Sequence, residues 1–303
     1  MRFIHSNILK DHTWATEVKT IDLPVNPISF LLITLGVWNA TDEATYAEII
    51  AFLNKVTVTH EGVNIFNMES EDIAMYMVAH GLGPPLLTKN LATDNLNREL
   101  TLIVPFGRQL YSPKECFPAT TRGEFQLSLD CTVPATSCDN GVINVECVEL
   151  PEATPETFVK STLMNIAAPG ATGDNDIDLP IGNKIAKIIL FSTTVPGASS
   201  HTWGINEARV LMNNTEYGYV SAKAKCLHGM LSCFGLGKTH DIAAYGDIIP
   251  NNYFVLDFDF WAMDQYLLET AGASSLKTRL NMGVDEAAKI IISEIVDVSK
   301  IAK

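Results

Sequence analysis

Asp257 and Asp259 stand two apart in "YFVLDFDF", so on an extended chain both carboxylates project from one face. Two carboxylates on one face is the equipment of a glycosidase. The alternation Leu256, Phe258, Phe260 gives them a plainer place, on the solvated side of a half-buried strand. "GDNDIDL" offers Asp174, Asp176 and Asp178, alternating oxygen ligands of the kind that hold calcium. An EF-hand loop opening at Asp174 needs Gly at its sixth position and Glu at its twelfth, where Leu179 and Ile185 stand. Any calcium site here would be irregular, and an acidic surface loop leading into a strand is the simpler reading. Cys226, His228, Cys233 and His240 are zinc-binding types, but their spacing matches no common structural zinc pattern. The two cysteines read more simply as small apolar residues on or near a helix.

"FGLGKTH" has the Gly-Lys-Thr of a phosphate loop, yet Ser232 stands where that loop needs its first Gly. It also follows a helical pattern, whereas a phosphate loop follows a strand and opens a helix. No Gly-x-Ser-x-Gly elbow and no Gly-x-Gly-x-x-Gly fingerprint occurs. The expectation is therefore no catalytic set, no cofactor, and no metal beyond the weak calcium candidates Asp174, Asp176 and Asp178.

The elements that would carry these residues come from a repeated pattern. Ile-Asp-Leu-Pro occurs at 21–24 and again at 177–180, each time ahead of an apolar, β-branched run. The copies are 156 residues apart. Gly81-Leu82-Gly83 answers Gly235-Leu236-Gly237 at a distance of 154. "ELTLIVPF" from Glu99 answers "YFVLDFDF" from Tyr253, again at 154, and "EFQLSLD" from Glu124 answers "SLKTRLN" from Ser275 at 151. The order is kept while the spacing drifts, as loop trimming would make it, so the chain reads as one folding plan written twice.

Most segments read as strands, short and rich in Val, Ile, Leu and Phe, with Gly, Pro, Asn and Ser between them. "FQLSLD" alternates, as a half-buried strand does; "FLLITL" does not, which predicts cover on both faces. Pro cannot donate to a ladder, so each Ile-Asp-Leu-Pro predicts a strand end. One helix interrupts each half. "MESEDIAMYMVAHGLG" has Ser70 as N-cap and Gly81 as C-cap, and "VSAKAKCLHGMLSCFG" places Ala224, Leu227, Leu231 and Phe234 on one face. About eight short strands and a helix in ~150 residues is a jelly roll. The expected fold is all-β, a tandem jelly roll of two eight-stranded sandwiches, one over 1–150 and one over 151–303.

Composition narrows the partners. Hydrophobic residues make up 47% of the 303, and charged residues only 18%, against about 25% in an ordinary domain. A chain of that kind buries surface against copies of itself as well as within itself. The net charge is −14, spread as −9 over residues 1–150 and −5 over 151–303, with no basic stripe. Sequence-specific nucleic-acid binding is not expected. The six cysteines form no CxxC pair, and the opening "MRFIHSNILK" lacks the ~7–15-residue apolar stretch of a secretory signal, which predicts reduced thiols and synthesis in a cytoplasm.

Two jelly rolls in tandem, each with a helix before its later strands and none with a catalytic signature, resemble the double jelly-roll major capsid proteins of tailless icosahedral viruses, small membrane-containing bacteriophages among them. "NNYFVLDFDFWAMDQYLLETAGASSLKTRLNMG" carries the resemblance furthest: a strand, an irregular acidic and aromatic loop, then a further strand. The resemblance implies a non-enzymatic virion protein made in the host cytoplasm. It implies homotrimers shaped as pseudo-hexagonal tiles, set in an icosahedral lattice with minor and vertex proteins, often above a lipid membrane. "MRFIHSNILKDH" adds an expectation of its own, a short helix with Met1, Ile4 and Ile8 on one face, able to lie on an anionic membrane or the shell floor. The alternative class is a two-domain β-sandwich glycan-binding or attachment protein, with Trp38, Trp203 and Trp261 stacking on sugars.

Overall fold

The computed structural model describes residues 2–41, 43–83, 85, 96–133, 138–194, 202–233 and 252–301. They fall into two compact units. The first takes the described residues up to Thr162 and the chain end from Asp297; the second takes those from Leu163 to Val296.

The first unit holds β1 (Ile4–Thr13), β2 (Glu17–Asp22), β3 (Ile28–Asn39), α1 (Tyr46–Ile50), β4 (Leu53–His60), β5 (Val63–Glu69), α2 (Ser70–Ala79), β6 (Asn97–Pro105), β7 (Phe125–Cys131) and β8 (Cys138–Glu149). Its two sheets run β1-β8-β3-β6 and β2-β7-β4-β5. First pairs with eighth, second with seventh, third with sixth and fourth with fifth, all antiparallel. That is one long hairpin rolled up on itself, and the second joins, β3 to β8 and β4 to β7, close the roll.

The second half of the chain repeats the order with β9 (Thr157–Ile166), which enters the second unit at Leu163, then β10 (Gly173–Asp178), β11 (Lys184–Ser192), β12 (Ile205–Met212), β13 (Thr215–Glu216), β15 (Tyr253–Asp257), β17 (Leu276–Met282) and β18 (Ala288–Asp297). β14 (Ala222–Lys223) adds to β12, β16 (Leu268–Glu269) adds to β11, and α3 (Ala224–Cys233) sits between the fifth and sixth strands of the pattern, as α2 does. The strand orders are β9-β18-β11-β15 and β10-β17-β12-β13.

The repeated sequences occupy repeated places. Ile21-Asp22 ends β2 and Ile177-Asp178 ends β10, the second strand in each pattern. The next residue, Leu23 or Leu179, is buried, and its N–H donates at 2.9 Å to the carbonyl of Phe125 or of Leu276, at the start of the seventh strand. Proline then stops the ladder. The seventh strands alternate alike, with Phe125, Leu127, Leu129 and Cys131 inside in one and Leu276, Thr278, Leu280 and Met282 inside in the other. Fourth and fifth strands are joined by two left-handed residues, Glu61-Gly62 (φ 48° and 79°) and Asn213-Asn214 (φ 52° and 61°). Two left-handed residues make the tight turn whose twist matches a hairpin.

Four expectations are corrected. Residues 4–13 form a strand paired along β8, from Ile4 opposite Glu149 to Thr13 opposite Val142, rather than an amphipathic helix. The edge of β8 otherwise presents a row of unpaired N–H and C=O groups, and that outweighs a weak helical pattern. Ser70 is the first residue of α2, not its cap; Glu69 is the cap, and the Ser70 hydroxyl donates to the Leu53 carbonyl. At the other end Gly81 (φ 71°) closes the helix, with Gly81 N–H on Val78 O and Leu82 N–H on Met77 O. The acidic "GDNDID" is a strand, not a loop. "FLLITL" is fully buried on one face only: Leu31, Ile33 and Leu35 are inside, while Leu32 and Thr34 are half-buried. In β18, by contrast, every residue from Ile290 to Val296 is buried within the single chain, so no neighbouring subunit is needed to cover it.

Candidate functional site

Asp174, Asp176 and Asp178 project from the outer face of β10, each opposite a donor on β17. Asn281 Nδ2 donates to Asp174 Oδ1 at 2.7 Å, Arg279 grips Asp176 through Nε and Nη2 at 2.5 and 2.9 Å, and Lys277 Nζ lies 3.8 Å from Asp178. The Arg279 hydrogen bonds hold the Asp176 carboxyl below the usual carboxylate range. The row is a cross-strand ladder, the sheet's ordinary way of neutralising charge. Among the described residues no group of three or more His, Cys, Asp or Glu side chains is arranged to hold a metal.

Asp257 and Asp259 do not share a strand face, because β15 ends at Asp257. Asp257 Oδ2 meets Lys187 Nζ at 2.5 Å, and its Oδ1 accepts the Asp259 N–H at 2.8 Å. Lys187 and Asp259 are buried. Asp259 in turn accepts the Asp264 N–H at 3.1 Å. These carboxylates pin the start of the β15–β17 connection, which is the reverse of the solvated edge expected of them. Sequence reasoning missed Lys187. The signal was there, a lone cation inside "IAKIILF", which has to find a partner when its neighbours are buried.

His228 donates from Nδ1 to the Tyr253 carbonyl at 2.7 Å and packs beside Trp203. Cys226 on the same helix is exposed, which corrects its reading as a packed apolar residue. The Gly235–Thr239 segment, Phe234 and His240 lie outside the described residues. Burial pushes the Cys116 thiol up to about 12 and the Cys131 thiol up to about 11, leaving neither as a nucleophile. Another polar pair went unforeseen, Arg108 with Glu115, joined through Nε to both carboxylate oxygens at 2.9 Å inside the β6–β7 connection.

One end of the second unit presents large apolar side chains to solvent. Strand registers put three connections there, β10–β11, β12–β13 and β15–β17. Thr270 ties the first to the third, accepting the Gly182 N–H at 2.8 Å and donating to the Asn183 carbonyl. Asn213 ties the second to the third, its Oδ1 accepting from Ser274 N–H and hydroxyl at 2.8 Å. On this braced end Ile181, Trp261, Met263 and Tyr266 are exposed. Trp38 and Trp203 are half-buried, so of the three tryptophans singled out by sequence only Trp261 is open.

No family model matches the chain, and no curated protein matches it in sequence. Solved structures do. The major capsid protein P2 of bacteriophage PM2 matches with a TM-score of 0.66 at 12% identity, over 98% of each chain. The STIV MCP matches at 0.70 and 14%, over 100% of this chain and 99% of that one. PBCV-1 VP54, fitted into a reconstruction of the virophage Sputnik, matches at 0.65 and 9%, over 97% and 94%. The fold is the double jelly roll. The likeness runs from end to end of the chain, so it covers both eight-strand patterns and their order. It has no counterpart at the level of sequence, as expected where inward-facing volume and strand order are kept while residues change.

Proposed function

We propose that this chain is a viral major capsid protein, a non-enzymatic shell subunit found in the virion and made in the host cytoplasm. Its two jelly rolls, residues 1–150 and 151–303, form homotrimers that act as pseudo-hexagonal tiles of an icosahedral lattice. Minor and vertex proteins complete the shell, and a lipid membrane lies beneath it. The observation that carries the reading is the full-length match of both jelly rolls, in order, to the capsid proteins of PM2, STIV and PBCV-1. Supporting it, no carboxylate, histidine or cysteine singled out by sequence is set up for catalysis among the described residues. The low charge content also suits large subunit contacts. A closed threefold ring leaves no open surface to propagate fibres.

Size-exclusion with light scattering tests it. The expected result is a stable trimer at micromolar concentration, with shell-like particles in negative stain of expressing cells. A monomer with a native β-type circular dichroism spectrum overturns the reading and turns attention to glycan columns.

A further inference from the structure

We infer that the braced end of the second unit is a lipid-facing surface, which seats the subunit on an uncharged or zwitterionic bilayer through Ile181, Trp261, Met263 and Tyr266. The inference deepens the shell reading and rests on it for the membrane's presence.

The exposure is built, not frayed. Ile181 is 47% exposed, Trp261 69%, Met263 61% and Tyr266 67%, on connections that Thr270 and Asn213 tie together. Within four residues Trp261, Ala262 and Asp264 all hold left-handed backbone, at φ 62°, 54° and 61°. Non-glycine residues are strained there, and such strain persists where the surrounding structure holds it and a surface uses it. The charges nearby are largely paired. Asp257 is spent on Lys187, Asp259 is 2% exposed, and the exposed Glu269 and Asp178 lie 3.5 Å from Lys184 and 3.8 Å from Lys277. Asp264 is the one exposed acid of the Trp261–Tyr266 stretch.

An indole, a phenol and a thioether on a nearly neutral rim suit the headgroup layer, where one end of each aromatic stays wet. A surface for anionic lipid would carry a basic cluster, and this rim has none. The first unit repeats the feature on its own terms. Its registers put β1's start and the β2–β3 and β6–β7 connections at one end, where Phe3 (58%), Val25 (45%) and Tyr111 (45%) are exposed. The chain's opening is unavailable for the role in helical form, because residues 4–13 are committed to β1.

The test is flotation of the full-length protein with phosphatidylcholine vesicles, with and without phosphatidylserine, beside Trp261→Ser/Met263→Ser/Tyr266→Ser. The wild-type chain should float with phosphatidylcholine alone, with no gain from phosphatidylserine and no loss in high salt. The triple variant should bind about tenfold more weakly or worse, the scale set by burying even one such side chain. Val18→Ser, exposed elsewhere on β2, should bind as wild type. Quenching of wild-type tryptophan emission by brominated phosphatidylcholine needs no variant and should be strong. Wild-type protein that ignores vesicles, or a triple variant that binds undiminished, overturns the inference. A triple variant that loses its trimer marks the rim as a contact between copies and overturns it too. A trimer that ignores vesicles sinks the surface and leaves the shell reading. A monomer that floats through these side chains sinks the shell reading and leaves the surface.

Discussion

Replacing Lys187 by Met should cost the second unit about 3 kcal/mol, and replacing Asp257 by Leu nearer ~5 kcal/mol, within the range for breaking a buried ion pair from one side. The asymmetry comes from what each deletion strands. Without Lys187, the Asp257 carboxylate keeps the Asp259 N–H on Oδ1 and is 18% exposed, so water and a proton can relieve it. Without Asp257, the ammonium loses the carboxylate that neutralises it while only 8% exposed, and the Asp259 N–H loses its acceptor as well. The double variant should return to within ~1 kcal/mol of wild type. Removing both charges removes the desolvation cost along with the attraction, which offsets the orphaned N–H at about 1–3 kcal/mol. The assay is urea unfolding followed by tryptophan emission, with midpoints compared at constant slope. The double-mutant cycle should give a coupling of several kcal/mol. Two single variants each costing under ~1 kcal/mol, with no coupling, would refute the reasoning and reduce the contact to a solvated surface pair.

Acid should weaken the same unit. The Asp176 carboxyl is held below its ordinary range by Arg279, and Glu207 by Lys223 and Ser221. A depressed folded value means the stabilisation is complete above the unfolded value of about 4 and drains away as pH falls through the folded one. Melting temperature should therefore be level from about pH 7 to 5 and fall below about pH 4, less steeply in Arg279→Met; an identical slope in that variant counts against the account. Thiol labelling of the native chain should reach exposed Cys226 well before buried Cys116, Cys131 and Cys147, whose thiols burial pushes upward. Peptide mapping in which Cys131 labels as fast as Cys226 would contradict that order.

Strand identity was legible wherever a period of two met a fully buried inner face, as in β7 and β17. The duplication was legible because Leu23 and Leu179 must each fill a core site while the following proline ends the ladder. Pairing across long distances was not. Lys187 finds its partner 70 residues on, and nothing local in "IAKIILF" says which acid it will be. The β1 register was hidden for the same reason: its pattern is weakly helical, and the gain from satisfying the β8 edge is invisible until β8 is placed beside it. Covering of apolar strands also misled, since β18 and β3 look alike in sequence but only β18 is buried on both faces within the chain.

The two units agree inward and differ outward, and the difference bears on assembly. On the outer face of the first unit the second and seventh strands pair Val18 with Asp130, Thr20 with Ser128 and Asp22 with Gln126. The corresponding pairs of the second unit are Asp174 with Asn281, Asp176 with Arg279 and Asp178 with Lys277. Position for position, a face whose charges are both acidic, Asp22 and Asp130, has become a ladder of acids set against Arg279 and Lys277 on an unchanged backbone plan. Folding asks nothing of these positions, since surface ion pairs contribute only ~0–1 kcal/mol each. A chain whose two halves met equivalent neighbours would have no reason to keep the faces distinct. Six barrels in a trimeric tile would be sixfold in outline and threefold in chemistry, alternating a flank of ion pairs with a flank of acids and hydroxyls. Neighbouring tiles would then be held in register by the chemistry, since charge placement decides which surfaces tolerate one another more than it decides how tightly they bind.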